Sequence, residues 1–154
     1  MRNKTALIMV CLTCIVHSMC YSQSNKLLSV KIECEGFFTE TIMNVDCNSF
    51  RQQFKETMKV KVLTNRNEVA GFNSLIKILK KKEAPKNIDI RGILTLNYSR
   101  KRIQYCFDTF GMFYKDGKAY QDIKLLSHIS DKLYSNHPKY LDSLSSEKHE
   151  AGHL

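Results

Sequence analysis

From Leu28 to Cys34 the chain alternates apolar and polar side chains (Leu-Ser-Val-Lys-Ile-Glu-Cys), the period of two expected of a strand with one face in a core. A turn at Glu35-Gly36 precedes Phe37–Met43, a β-favouring run that reads as a return strand. Asp46, Asn48 or Ser49 is placed to cap a short helix carrying Phe50 and Phe54 on one side. Met58, Val60 and Val62 then alternate with Lys59 and Lys61, predicting another strand over Thr57–Leu63. Val69, Phe72, Ile76 and Leu79 recur at helical spacing and predict an amphipathic helix over about 67–82. Asn65 with Glu68 resembles a capping box at its start, Lys77, Lys80 and Lys81 suit its C-terminal dipole, and Pro85 stops it.

Beyond Pro85 the period returns to two. Ile88, Ile90, Leu94, Leu96 and Tyr98 alternate with polar residues, Ser99-Arg100-Lys101 turns the chain, and Ile103, Tyr105 and Phe107 resume the pattern. Asp116-Gly117 is a two-residue hairpin signal between Phe110–Tyr114 and a strand beginning at Ala119. Ile123, Leu126, Ile129 and Leu133 mark a second amphipathic helix. The sum is an α+β fold: a single domain with an antiparallel sheet of about five or six strands and two main amphipathic helices on one face. The helix between Leu63 and Asp89 could be a crossover, which leaves the topology open.

The ends have a different character. Met1–Thr5 carries Arg2 and Lys4 without an acid, Ala6–Val16 is apolar, and His17–Ser22 is short and mixed, the layout of a secretory signal peptide over residues 1–22. Its apolar run is too short to span a bilayer, and no later stretch is long enough, so no transmembrane span is expected after its removal. Cleavage after Ser22 fits small residues at the cleavage site better than lipidation at Cys20, whose neighbour Met19 departs from a lipobox. The product would be secreted or periplasmic, with residues 23–134 as the globular domain and 135–154 as a polar C-terminal tail. Of the six cysteines, Cys34, Cys47 and Cys106 remain after processing. Cys34 and Cys47 are the nearest in sequence and the expected disulfide pair, with Cys106 a buried free thiol in an apolar strand.

Composition and charge narrow the function. With 43% hydrophobic residues in 154, the chain is neither disordered nor of low complexity. Lys and Arg number 24 against 15 Asp and Glu, a formal charge of +9 that falls by two when Arg2 and Lys4 leave. The basic residues gather in two places, Lys77, Lys80 and Lys81 and then Arg100, Lys101 and Arg102, as a candidate basic surface. Neither cluster is interleaved with aromatics as a single-strand nucleic-acid platform would be. The expected partner is another protein or an anionic envelope component, not nucleic acid.

Candidate chemistry is sparse. His149-Glu150-Ala151-Gly152-His153 matches the His-Glu-x-x-His zinc pattern, in which two imidazoles share a metal and the Glu serves as general base. It sits one residue from the end of the sequence, contains a helix-weakening glycine, and leaves only His128 or His137 as a third histidine ligand. Cys106 with His128 could form a thiol–imidazole pair, though nothing in their spacing brings them together. Asn97-Tyr98-Ser99 is an N-glycosylation sequon. No catalytic, metal or cofactor set emerges, so the expectation is an exported, non-enzymatic binding domain, an inhibitor- or immunity-type protein being one concrete form. The alternatives are a small zinc hydrolase using His149, Glu150 and His153, and an envelope-associated structural protein with a basic face.

Overall fold

The computed structural model describes residues 25–37 and 39–134; the expected signal segment, the expected polar tail and its His149-Glu150-x-x-His153 pattern lie outside the described residues. Seven strands form one antiparallel sheet: β1 (Leu27–Cys34), β2 (Lys59–Leu63), β3 (Lys80–Lys82), β4 (Gly92–Tyr98), β5 (Arg102–Phe107), β6 (Met112–Lys115) and β7 (Lys118–Gln121). Their order across the sheet is β2-β1-β4-β5-β6-β7-β3. Three helices complete the fold: α1 (Phe50–Gln53), α2 (Arg66–Lys77) and α3 (Ile123–Leu133).

Strand parity sorts the side chains between two cores. Val30, Ile32 and Cys34 of β1 and Leu94 and Leu96 of β4 face α2 and α3, joining Tyr105, Phe107, Phe113, Phe72, Leu125, Leu126 and Ile129. The opposite face carries Ile93 and Cys106 into a smaller core with Val45, Phe50, Phe54 and Ile90. The two large helices therefore share one face, as expected, while α1 and the loop before it cover part of the other. Gly92 to Leu96 is buried at every position because both faces are covered there. At Gly92 a Cβ would run into the ring of Phe107, its direct cross-strand neighbour, so the close approach requires glycine.

Two buried charged side chains on the α1 face, Glu33 and Arg91, are ion-paired. Glu33, 1% exposed, takes a fork from Arg51 Nε and Nη2 at 2.9 and 2.7 Å and a third hydrogen bond from Lys31 at 2.9 Å. Burial alone would raise its pKa, and the two cations outweigh that and hold it below the usual carboxylate range. Arg91 is buried against Asp89 at 2.6 Å and also donates to Thr41 Oγ1 at 3.0 Å, tying the 39–45 loop to the start of β4.

Several sequence expectations change. Phe37–Met43 supplies no strand among the described residues. The first large helix ends at Lys77 and not near Lys82, because Lys80–Lys82 pairs with Gln121–Ala119 of β7 as the far edge of the sheet. An edge strand made of lysines keeps a second chain from pairing there, a role the helical charge pattern conceals. The strand count is seven, and the Asp116-Gly117 hairpin forms with both residues at positive φ, 50° and 69°.

The cysteine pairing is corrected as well: Cys47 bridges Cys106, with Cα atoms 5.8 Å apart, and Cys34 is the free, buried thiol. Cys34 cannot meet Cys47 because it points into the helix-side core, and the sheet stands between that core and the one holding Cys106. Burial pushes the Cys34 thiol up to about 12, so it is a packing residue and not a nucleophile. The bridge is compatible with an oxidising, extracellular-type environment. Closing a loop across 59 residues of separation is worth about 4 kcal/mol in the chain-entropy model. Non-reducing peptide mapping should therefore recover Cys47 linked to Cys106, with Cys34 alkylated only after denaturation. Cys106→Ala should lower unfolding free energy by about 2–5 kcal/mol. A bridge through Cys34, or a Cys106→Ala variant as stable as the parent, would contradict this assignment.

Candidate functional site

The strongest concavity in chemical terms lies where β1 begins and β4 ends, beneath one side of α2. It has a volume of about 580 Å³ and is lined by Asn25–Leu28, Thr64, Arg66, Val69, Ala70, Asn73, Lys77 and Tyr98. Local sequence accounts for each wall. Asn65 caps α2 by accepting from the Asn67 N–H, which fixes Arg66 as the first helical residue. Val69 and Phe72 point into the core, so Arg66, Ala70, Asn73 and Lys77 are left on the stripe facing the groove. Leu27 pairs with Tyr98, and the Ser99 N–H donates to the Lys26 carbonyl at 2.9 Å, which holds the strand start against the β4–β5 turn.

Three cations, Lys26, Arg66 and Lys77, line this groove, and no carboxylate does. All three are exposed, and none takes part in an ion pair with a described residue; the ion pairs that form join Glu33 with Lys31 and Arg51, Asp89 with Arg91, Asp116 with Lys115, and Glu68 with Lys132. Lys77 at the helix C-terminus is favoured by the dipole, but Arg66 at the N-terminus is opposed by it. Lys101 Nζ sits 5.7 Å from the centre of the Tyr98 ring. The floor is apolar: Leu27, Leu28, Val69 and Ala70, with the half-buried ring of Tyr98, whose hydroxyl pKa is raised by burial.

The sequence-derived basic surface is thus divided. Lys77 lines the groove and Lys101 lies over the Tyr98 ring, whereas Lys80 and Lys81 lie on β3 at the sheet edge, separated from β5 by two strands. Arg100 is in the turn, and Arg102 on β5 donates from Nε to Asn97 Oδ1 at 3.0 Å. Asn97, the sequon residue, is also engaged through Nδ2 to Ser29 Oγ at 3.0 Å. Lys26 and Arg66 belong to no basic run, so sequence clustering passes over them. The only local signal was Arg66 at the wrong end of a helix for its charge.

Other candidates are engaged structurally. A second groove of about 650 Å³ contains Asp108, Phe110, Lys82 and Lys86. The Asp108 carboxylate accepts from the backbone N–H groups of Phe110 and Met112 at 2.8 and 3.0 Å and from the Tyr114 hydroxyl at 2.9 Å, which pins the β5–β6 connection. Burial raises its pKa. Cys106 and His128 are not brought together, because one is bridged on the α1 face and the other is on α3 against Phe72, ring centres 4.6 Å apart. His128 Nε2 is buried without a hydrogen-bond partner among the described residues. Among the described residues no three His, Cys, Asp or Glu side chains gather, and no helix is long and apolar enough to cross a membrane.

Burial lowers the pKa of His128 below its ordinary 6.5, with nearby Lys132 acting in the same direction and Asp131 and Glu68 opposing. The unfolded chain then binds the proton more readily, so this contribution to stability is complete above 6.5 and is lost as pH falls through the folded-state value. Replacing His128 with Leu should flatten the decline in Tm between neutral and mildly acidic pH, measured against the parent chain; an unchanged slope would contradict this. Comparison of the chain with protein-family models, curated proteins and solved structures finds no match to any of the three.

Proposed function

We propose that this chain is an exported, non-enzymatic binding domain that holds an acidic protein partner through the groove beside α2. The observation that carries this reading is the convergence of Lys26, Arg66 and Lys77, unpaired among the described residues, on a concavity with an apolar floor and no carboxylate. Arg66 and Lys77 lie about 16 Å apart along α2, so an acidic partner can engage them with separate carboxylates. The volume is within the range of sites that enclose a ligand or a few residues of a partner. An inhibitor- or immunity-type role fits this arrangement, since such a protein needs a surface and no reacting group. Export is supported by the charge and hydropathy layout of residues 1–22, and the Cys47–Cys106 bridge is compatible with it.

The reading separates this groove from the other basic residues. Calorimetric titration of the mature chain with poly-L-glutamate should show saturable binding. The double substitution Lys26→Glu/Arg66→Glu should weaken it by about tenfold or more, each reversal removing one favourable and adding one unfavourable interaction. Lys80→Glu/Lys81→Glu on β3 should change it by less than about threefold. Equal losses from the two pairs would mean that net charge, and not the groove, governs attraction. Tighter binding to anionic vesicles than to poly-L-glutamate, unaffected by the groove reversal, would favour adhesion to an envelope surface instead.

A further inference from the structure

The ladder between β1 and β2 begins at Val30, opposite Leu63, whereas β1 itself starts at Leu27, opposite Tyr98. Leu27–Ser29 therefore has β4 on one side and no strand among the described residues on the other, because the chain has already turned at Thr64 and Asn65 into α2. The groove runs beside this stretch: Lys26, Leu27 and Leu28 form one wall, and Thr64 marks where β2 leaves. A register shift between Leu27 and Ser29 interrupts the alternation, and Leu28, 53% exposed, is turned to the groove. A bare strand edge offers N–H and C=O groups at strand spacing to any extended chain laid along it.

The facing wall is longer than this three-residue stretch. Arg66, Ala70, Asn73 and Lys77 follow one stripe of α2, with a cation at each end and small or neutral side chains between. From Arg66 to Lys77 the helix rises about 16 Å. An extended strand covers that distance in about five residues. Resting on the proposal that the groove is the binding surface, we infer that its occupant is an extended acidic peptide segment. That segment adds a short strand to the Leu27–Ser29 edge, with carboxylates four residues apart, on one face of the strand and about 13 Å from each other, reaching toward the Arg66 and Lys77 ends, and an apolar side chain between them over Leu27, Leu28 and Tyr98. The guanidinium of Arg66 suits a carboxylate in a two-point fork. The concave, partly apolar floor suits a side chain better than a flat layer of headgroups.

The test uses the mature chain and the fluorescein-labelled peptide Glu-Thr-Leu-Thr-Glu, whose two carboxylates and leucine share one face of an extended strand, read by anisotropy, beside two relatives: one with both Glu replaced by Gln, one with the same side chains on an N-methylated backbone. The parent peptide should bind saturably below about 1 mM, and each relative should bind at least about tenfold more weakly. Arg66→Glu, which suits the helix dipole and so leaves α2 folded, should produce the same loss as the Gln peptide. An N-methylated peptide that binds within about twofold of the parent overturns strand addition. So does an absence of peptide binding while poly-L-glutamate still binds in a manner sensitive to Lys26→Glu/Arg66→Glu; that outcome leaves the groove reading standing. Loss of both ligands overturns both.

Discussion

The pairing of β1 with β4 sets the geometry on which everything else in this molecule depends. It is the longest ladder of the sheet, and its register assigns each side chain to one of two cores. Burial of both faces along Gly92–Leu96 makes a one-residue slip prohibitive, since it would exchange Leu94 and Leu96 with Ile93 and Thr95. From that register follow the separation of Cys34 from Cys106, the docking of α2 over the start of β1, and the exposed stretch of β1 beyond β2. The groove is thus a consequence of where two ladders begin: one at Leu27, the other three residues later at Val30.

The two faces are held by different means. Helices α2 and α3 cover one with a conventional apolar core in which Phe72, Leu125, Leu126 and Ile129 meet the strands. The other is covered by a segment with little regular structure, and it needs point attachments: the Cys47–Cys106 bridge, the Arg51–Glu33 fork, and Arg91 between Asp89 and Thr41. A loop that buries only a few apolar side chains gains less from the hydrophobic effect than a helix of three turns, so cross-links supply the difference. These anchors leave the groove untouched, since it lies on the helix side at the start of β1.

Much of the fold was legible because it rests on local chemistry. Leu28–Cys34 showed its strand through alternation, Asp116-Gly117 its turn through positive φ, and Val69, Phe72 and Ile76 their helix through spacing. Three features were hidden for identifiable reasons. Lys80–Lys82 has no apolar period because an edge strand of lysines is exposed, so it continued the helical charge pattern and its pairing with β7 lies about forty residues away in sequence. The disulfide was misassigned by sequence distance, although the flanking Tyr105 and Phe107 already put Cys106 on the opposite face from themselves. The groove draws Lys26 from before β1, Arg66 and Lys77 from α2 and Tyr98 from β4, and no run of sequence contains that combination.

The cations unpaired among the described residues, and the stretch of β1 with no described strand beside it, carry the proposal that an acidic extended chain binds in this groove. Backbone amide chemical shifts of the isotope-labelled mature chain, followed as an acidic peptide is added, test it most directly. The account predicts the largest changes at Lys26–Ser29, Thr64–Lys77 and Tyr98–Lys101, with those of β3 unmoved. Perturbations concentrated on Lys80–Lys82, or spread evenly over the basic residues, would contradict it.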